Sequence, residues 1–78
     1  MDFYDLVRSR PPETHYAVAL DGEPLRCPVE LGRNGSIARD MVWANSNDWL
    51  TYRPKLGYAQ VVRSVMDGDG DISVELQA

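Results

Sequence analysis

Residues Ala17 to Asp40 read AVALDGEPLRCPVELGRNGSIARD. Two turn dipeptides punctuate this stretch, Asp21-Gly22 and Asn34-Gly35, each between short segments of alternating character. Asp-Gly and Asn-Gly tolerate positive φ at both centres of a type I′ turn, which makes them strong short-range hairpin signals. Upstream, His15 to Leu20 alternates, with Tyr16, Val18 and Leu20 on one face and Ala17 and Ala19 on the other. Downstream of the first turn, Leu25, Cys27, Val29 and Leu31 share a face opposite Arg26, Pro28 and Glu30. Pro28 cannot donate to a ladder, so this strand is expected to have a locally exposed edge or a bulge. After Asn34-Gly35, Ile37 to Trp43 is expected as a third strand, although Ser36 is also a possible helix cap.

Outside the meander the signals are shorter. Phe3 to Val7 reads as a first strand, ended by the proline-bearing connection Arg8 to Thr14 with Pro11-Pro12. Ser46 is the expected N-cap of a short helix, with Asp48 in its first turn, an apolar side made by Trp49, Leu50 and Tyr52, and Pro54 as its stop. Ala59 to Met66 fits two periods: Val61, Val62, Val65 and Met66 follow helical spacing, while β-branched valines favour strand. Asp67 to Asp71 reads as a turn and Ile72 to Leu76 as a closing strand. The expected architecture is α+β: one domain over residues 1–78, with a small antiparallel four-stranded sheet built on an N-terminal meander and two short helices on one face. Its expected core is Phe3, Tyr16, Val18, Leu20, Leu25, Val29, Trp49, Leu50 and Val62.

Bulk properties exclude several classes of function. A chain of 78 residues buries only about 60% of its unfolded surface, leaving little room for a deep pocket. Apolar residues make up 44% of it and charged residues 26%, a folded rather than a disordered composition. The net charge of −4, with no basic run, disfavours direct nucleic-acid binding. A basic protein surface is the more natural electrostatic partner. Scattered acidic residues interrupted by basic ones also disfavour mimicry of a phosphate backbone. Cys27 is the only cysteine, which excludes an internal disulfide and a cysteine-built zinc site and fits a reducing cytoplasm. The acidic, briefly apolar N-terminus does not resemble a signal peptide, and no apolar run reaches membrane-spanning length.

Two chemical readings fail on spacing. Asp67, Asp69 and Asp71 match the first three ligand positions of a calcium loop, but Ile72 stands where glycine is needed and Ala78 where a bidentate glutamate is needed. An acidic hairpin turn is expected instead, with no metal and no cofactor. His15 and Cys27 are the only candidates for a base and a thiol nucleophile, and strand alternation points them to opposite faces. The expectation is a non-enzymatic protein.

The succession Ala17-Val18, Gly22, Arg26, Val29-Glu30, Asn34-Gly35, Ala38-Arg39-Asp40, Trp49 and Leu56-Gly57, with Phe3 and Met66 also in place, resembles the first-described family of type I-F anti-CRISPR proteins. The markers are common residue types and cover roughly residues 16 to 66. The resemblance implies a four-stranded antiparallel sheet with two helices on one side. It also implies a steric activity in a bacterial host cytoplasm: a monomer would bind the backbone subunits that hold the CRISPR RNA and prevent target DNA from pairing with the guide. The family's contacting surface carries a glutamate and two tyrosines. The glutamate falls on Glu30, beside Arg26; one tyrosine falls on Ala19, which cannot replace it; the other falls on Leu6, with Tyr4 one pleat away on the same face. The expected partner-binding residues are therefore Glu30, Tyr4, Arg26 and Ala19. An unrelated phage or bacterial protein-binding accessory module is the alternative.

Overall fold

A computed structural model describes residues 1–26 and 43–78. The chain opens with helix α1, Phe3–Arg8, not with the expected strand. The reason lies in Asp2 and Asp5: the Asp2 side chain accepts from the Asp5 amide at 2.8 Å, and the Asp5 side chain accepts from the Asp2 amide at 3.1 Å. This reciprocal capping box satisfies two amides that a helix start leaves without partners. Phe3 and Leu6, three residues apart and both buried, then fall on one helical face. Arg8 closes the helix at its negative end and reaches Asp5 at 3.4 Å.

Strand β1, His15–Leu20, appears where the alternation places it. The turn that follows has positive φ at both centres, 51° at Asp21 and 84° at Gly22, as Asp-Gly predicts. Strand β2, Glu23–Pro24, pairs antiparallel with the end of β1, and the Leu25 amide donates to the Val18 carbonyl at 2.8 Å. Strand β3, Ala44–Asn45, pairs antiparallel with the start of the same strand, Ala44 opposite Tyr16 and Asn45 opposite His15. Leu25 and Ala44 thus lie along the same edge of β1. The expected Asn34-Gly35 turn, the positions of Cys27, Pro28, Val29 and Glu30, and most of the strand expected over 37–43 lie outside the described residues.

Helix α2, Ser46–Tyr52, has Asn45 as its N-cap, one residue before the expected Ser46. The Asn45 side-chain oxygen accepts from the Asp48 amide at 3.0 Å, while Ser46 is buried in the first turn. Pro54 does end α2, but it also opens a 3₁₀ helix, Pro54–Tyr58, where its fixed φ suits a first helical position. Gln60–Met66 then forms β4, resolving the ambiguous segment as strand, and Ile72–Gln77 forms β5 after the acidic turn.

Among the described residues the sheet is mixed, with five strands. Its order is β2-β1-β5-β4, with β3 also on β1; β5 runs parallel to β1 and antiparallel to β4. The expectation of four antiparallel strands is corrected on both counts. The physical cause is the route of the chain: β3 and β4 both run against β1 and are joined through α2 and the 3₁₀ helix, and the β4–β5 hairpin then reverses the chain so that β5 lies parallel beside β1.

One face of the sheet carries Tyr16, Val18, Ile72, Val74 and Leu76, buried against Phe3 and Leu6 of α1, Trp49 of α2 and Leu56 of the 3₁₀ helix. Phe3 meets Tyr16 edge-on at 5.4 Å between centroids, and the Trp49 indole Nε1 donates to the Tyr16 carbonyl at 3.1 Å. Leu20, Leu25 and Leu50, expected inside, are partly buried against this cluster. Val62, expected in the core, is 62% exposed. A register shift between Val61 and Arg63 explains it: Val61 faces Leu76 and packs on the core, and the extra residue Val62 bulges outward.

Candidate partner-binding surface

The expected contact residues do not gather as the sequence suggested. Tyr4 lies on a helix, so the strand pleat that would let it stand in for Leu6 does not exist, and Leu6 itself is buried. Ala19 sits mid-strand opposite Pro24 and is only 7% exposed, leaving little of it to meet a partner. Arg26 is exposed just past the β2 pairing. Glu30 lies outside the described residues.

The structure instead groups Tyr4 with the 3₁₀ helix. Its ring meets Tyr58 edge-on at 5.1 Å, the Arg8 guanidinium lies 5.5 Å from its centroid, and its hydroxyl approaches the Pro54 carbonyl at 3.4 Å. Gly57 is what permits this: a Cβ there would collide with the Tyr4 ring. The Leu56-Gly57 pair therefore has a local meaning, Leu56 filling the core and Gly57 receiving an aromatic ring. Tyr4 is held half-buried, while Tyr58 is 69% exposed.

Tyr58 also borders a groove of about 580 Å³ lined by Leu20, Pro54, Leu56, Ala59 and Ala78, with Arg53 and Lys55 at its side. Among the described residues, the charged side chains lining it, Arg53 and Lys55, are cations, on a chain whose net charge is −4. The arrangement offers an apolar floor, an exposed phenol and two cationic side chains. Those are features of protein-recognition surfaces, where tyrosine and arginine are the residues most enriched among strong contacts. The sequence signals for this surface are Pro54, which opens the 3₁₀ helix as well as ending α2, and the aromatic that follows Leu56-Gly57.

The other chemical candidates are accounted for locally. Asp67 Oδ1 accepts from the amides of Asp69 at 2.8 Å and Asp71 at 3.0 Å, so this carboxylate builds the turn. The Asp67, Asp69 and Asp71 carboxylates approach within 4.8 Å of one another. Asp71 also lies 3.7 Å from His15 Nδ1. Cys27, the other half of the rejected nucleophile pair, lies outside the described residues. Burial pushes the Tyr16 phenol pKa up, against smaller opposing pulls from the Arg10 charge and the Thr14 side chain. The Thr14 side chain lies near enough to pull on the phenol, but by distance and angle the buried Tyr16 hydroxyl has no hydrogen-bond partner.

Among the described residues, no helix is long and apolar enough to cross a membrane. No protein-family model, curated protein or solved structure matches this chain.

Proposed function

We propose that this chain acts by binding another protein, with no chemistry of its own, through the surface that runs from Tyr4 and Tyr58 into the groove beside Arg53 and Lys55. The observation that carries this reading is Tyr58: a large aromatic, 69% exposed, held against a second tyrosine at the mouth of an apolar groove. Such a side chain presents about 150–250 Å² of contact surface at low entropic cost.

The resemblance proposes a specific partner, the guide-holding backbone subunits of a type I-F CRISPR surveillance complex, and an action in the host bacterial cytoplasm that blocks pairing of target DNA with the guide. What supports this partner is the order of sequence markers. The helix at α1 and the parallel pairing of β1 with β5 depart from the architecture the resemblance implied. In this reading Glu30 meets a lysine of a backbone subunit.

The test is association of the purified protein with the intact type I-F complex, comparing wild type, Tyr58→Ala and Glu30→Lys. Binding by wild type that falls at least tenfold in Tyr58→Ala supports the groove surface. Loss only in Glu30→Lys moves the interface to the face implied by the resemblance. No binding by wild type removes the anti-CRISPR partner.

A further inference from the structure

Among the described residues, the outer half of β4 is an open strand edge. Its first residues are covered, since the Val61 amide donates to the Met1 carbonyl at 2.8 Å and Asp2 bridges Gln60. Beyond them, Arg63 to Met66 pairs only with β5 among the described residues. The same strand exposes Val62, Val65 and Met66, at 62%, 48% and 45%. An uncovered edge with apolar side chains is a template for another strand.

We propose that β4 pairs antiparallel with β4 of a second copy of this chain, forming a two-fold dimer with Val65 on the axis. The register follows from backbone alternation and charge. Asp67 donates its amide to the Asp71 carbonyl at 2.9 Å, and Val65 and Arg63 face Ser73 and Glu75 across the hairpin. Alternation then points the backbone groups of Ser64 and Met66 outward. A two-fold pairing that uses these groups places Ser64 opposite Met66 of the second copy, hydrogen-bonded, and Val65 opposite Val65 in a close non-hydrogen-bonded pair. Arg63 then falls opposite Asp67 of the second copy, and the symmetry repeats this ion pair on the other side. Sliding by two residues either way sets a charged side chain against Val65 and loses both ion pairs. The overlap, residues 63 to 67, ends before the segment covered by Met1, so the covered part of the edge needs no rearrangement. The Asp67 oxygen that holds the turn is Oδ1, which leaves its second oxygen for Arg63.

A contact this short belongs to the weak class of interfaces, detectable below about 1 mM protein. Sedimentation equilibrium of the full chain over a concentration series, at low and high salt, reads it directly. Wild type should show a monomer–dimer equilibrium weakened by salt. Val65→Lys, which sets two like charges on the axis, should weaken it at least tenfold. Asp67→Asn keeps the Oδ1 acceptor and hence the turn, so it should fold normally, weaken the dimer several-fold and flatten the salt dependence. A monomeric mass throughout the wild-type series overturns the proposal, as does a dimer indifferent to Val65→Lys. No partner protein enters this measurement, so its outcome is independent of the groove reading.

Discussion

Replacing Tyr16 by Phe should leave the fold as stable or make it more so. The phenol is fully buried, its ring packed edge-on against Phe3 at 5.4 Å, and its hydroxyl has no hydrogen-bond partner. A buried polar group left without a partner costs about 1–3 kcal/mol, whereas a hydroxyl in a formed bond contributes about 0.5–1.5 kcal/mol. The two cases differ in sign, which makes the substitution decisive. Phe keeps the ring and its contacts and removes only the oxygen, so the stability should change by between zero and about +2 kcal/mol. For a domain of this size that is a rise of up to about 8–16 °C in Tm, from about 4–8 °C per kcal/mol. The same group sets a pH signature. Its folded pKa is raised by burial, with Arg10 and Thr14 opposing weakly. The unfolded phenol ionises near the ordinary tyrosine value of 10.0, while the folded one holds its proton. Stability from this group is therefore fully present below that pH and is lost as pH rises through the folded value. Urea titrations followed by tryptophan fluorescence at neutral pH and across the alkaline range read both effects. A destabilisation of Tyr16→Phe by more than about 0.5 kcal/mol, or an alkaline loss identical in the two proteins, would refute the reasoning.

Three further outcomes follow from the same contacts. Trp49→Phe removes a fully buried indole and its bond to the Tyr16 carbonyl, and should cost about 2–4 kcal/mol by denaturant titration. Asp2→Ala takes away the acceptor for the Asp5 amide and half of the capping box; it should cost about 0.5–2 kcal/mol, and amide exchange should quicken in α1 before the sheet. Asp67→Ala removes the acceptor of two turn amides and should lower Tm, whereas Asp67→Asn should not; calcium and a chelator should give the same Tm, since a ligand bound only to the folded state must raise it.

What the sequence made legible was whatever depended on near neighbours. Asp21-Gly22 announced its turn because both centres need positive φ, and β1 and β5 announced themselves by alternation. The first helix was misread because Phe3 to Val7 is short enough to satisfy either period. Asp2 and Asp5 held the deciding signal, a capping pair spaced three apart, but with aspartate in place of the more familiar glutamate. The parallel pairing of β1 with β5 was beyond local reading, because it joins segments more than fifty residues apart and no turn dipeptide encodes it. Val62 misled for a related reason: the bulge that turns it outward is a property of its pairing with β5. Of the contact residues, Tyr4 was singled out on a strand that does not form, and its neighbours Tyr58, Pro54 and Gly57 emerged only once α1 was docked on the 3₁₀ helix.

The central claim is that the chain binds a protein through the Tyr4–Tyr58 surface. Amide hydrogen exchange of the purified protein, alone and with the type I-F surveillance complex, tests it most directly, because it reports both whether a complex forms and which backbone it covers. The account predicts slowed exchange in Arg53 to Tyr58 and in α1, with β5 unchanged. Exchange slowed only around Arg26 to Leu31 would contradict it, and exchange that is the same with and without the complex would remove that complex as the partner.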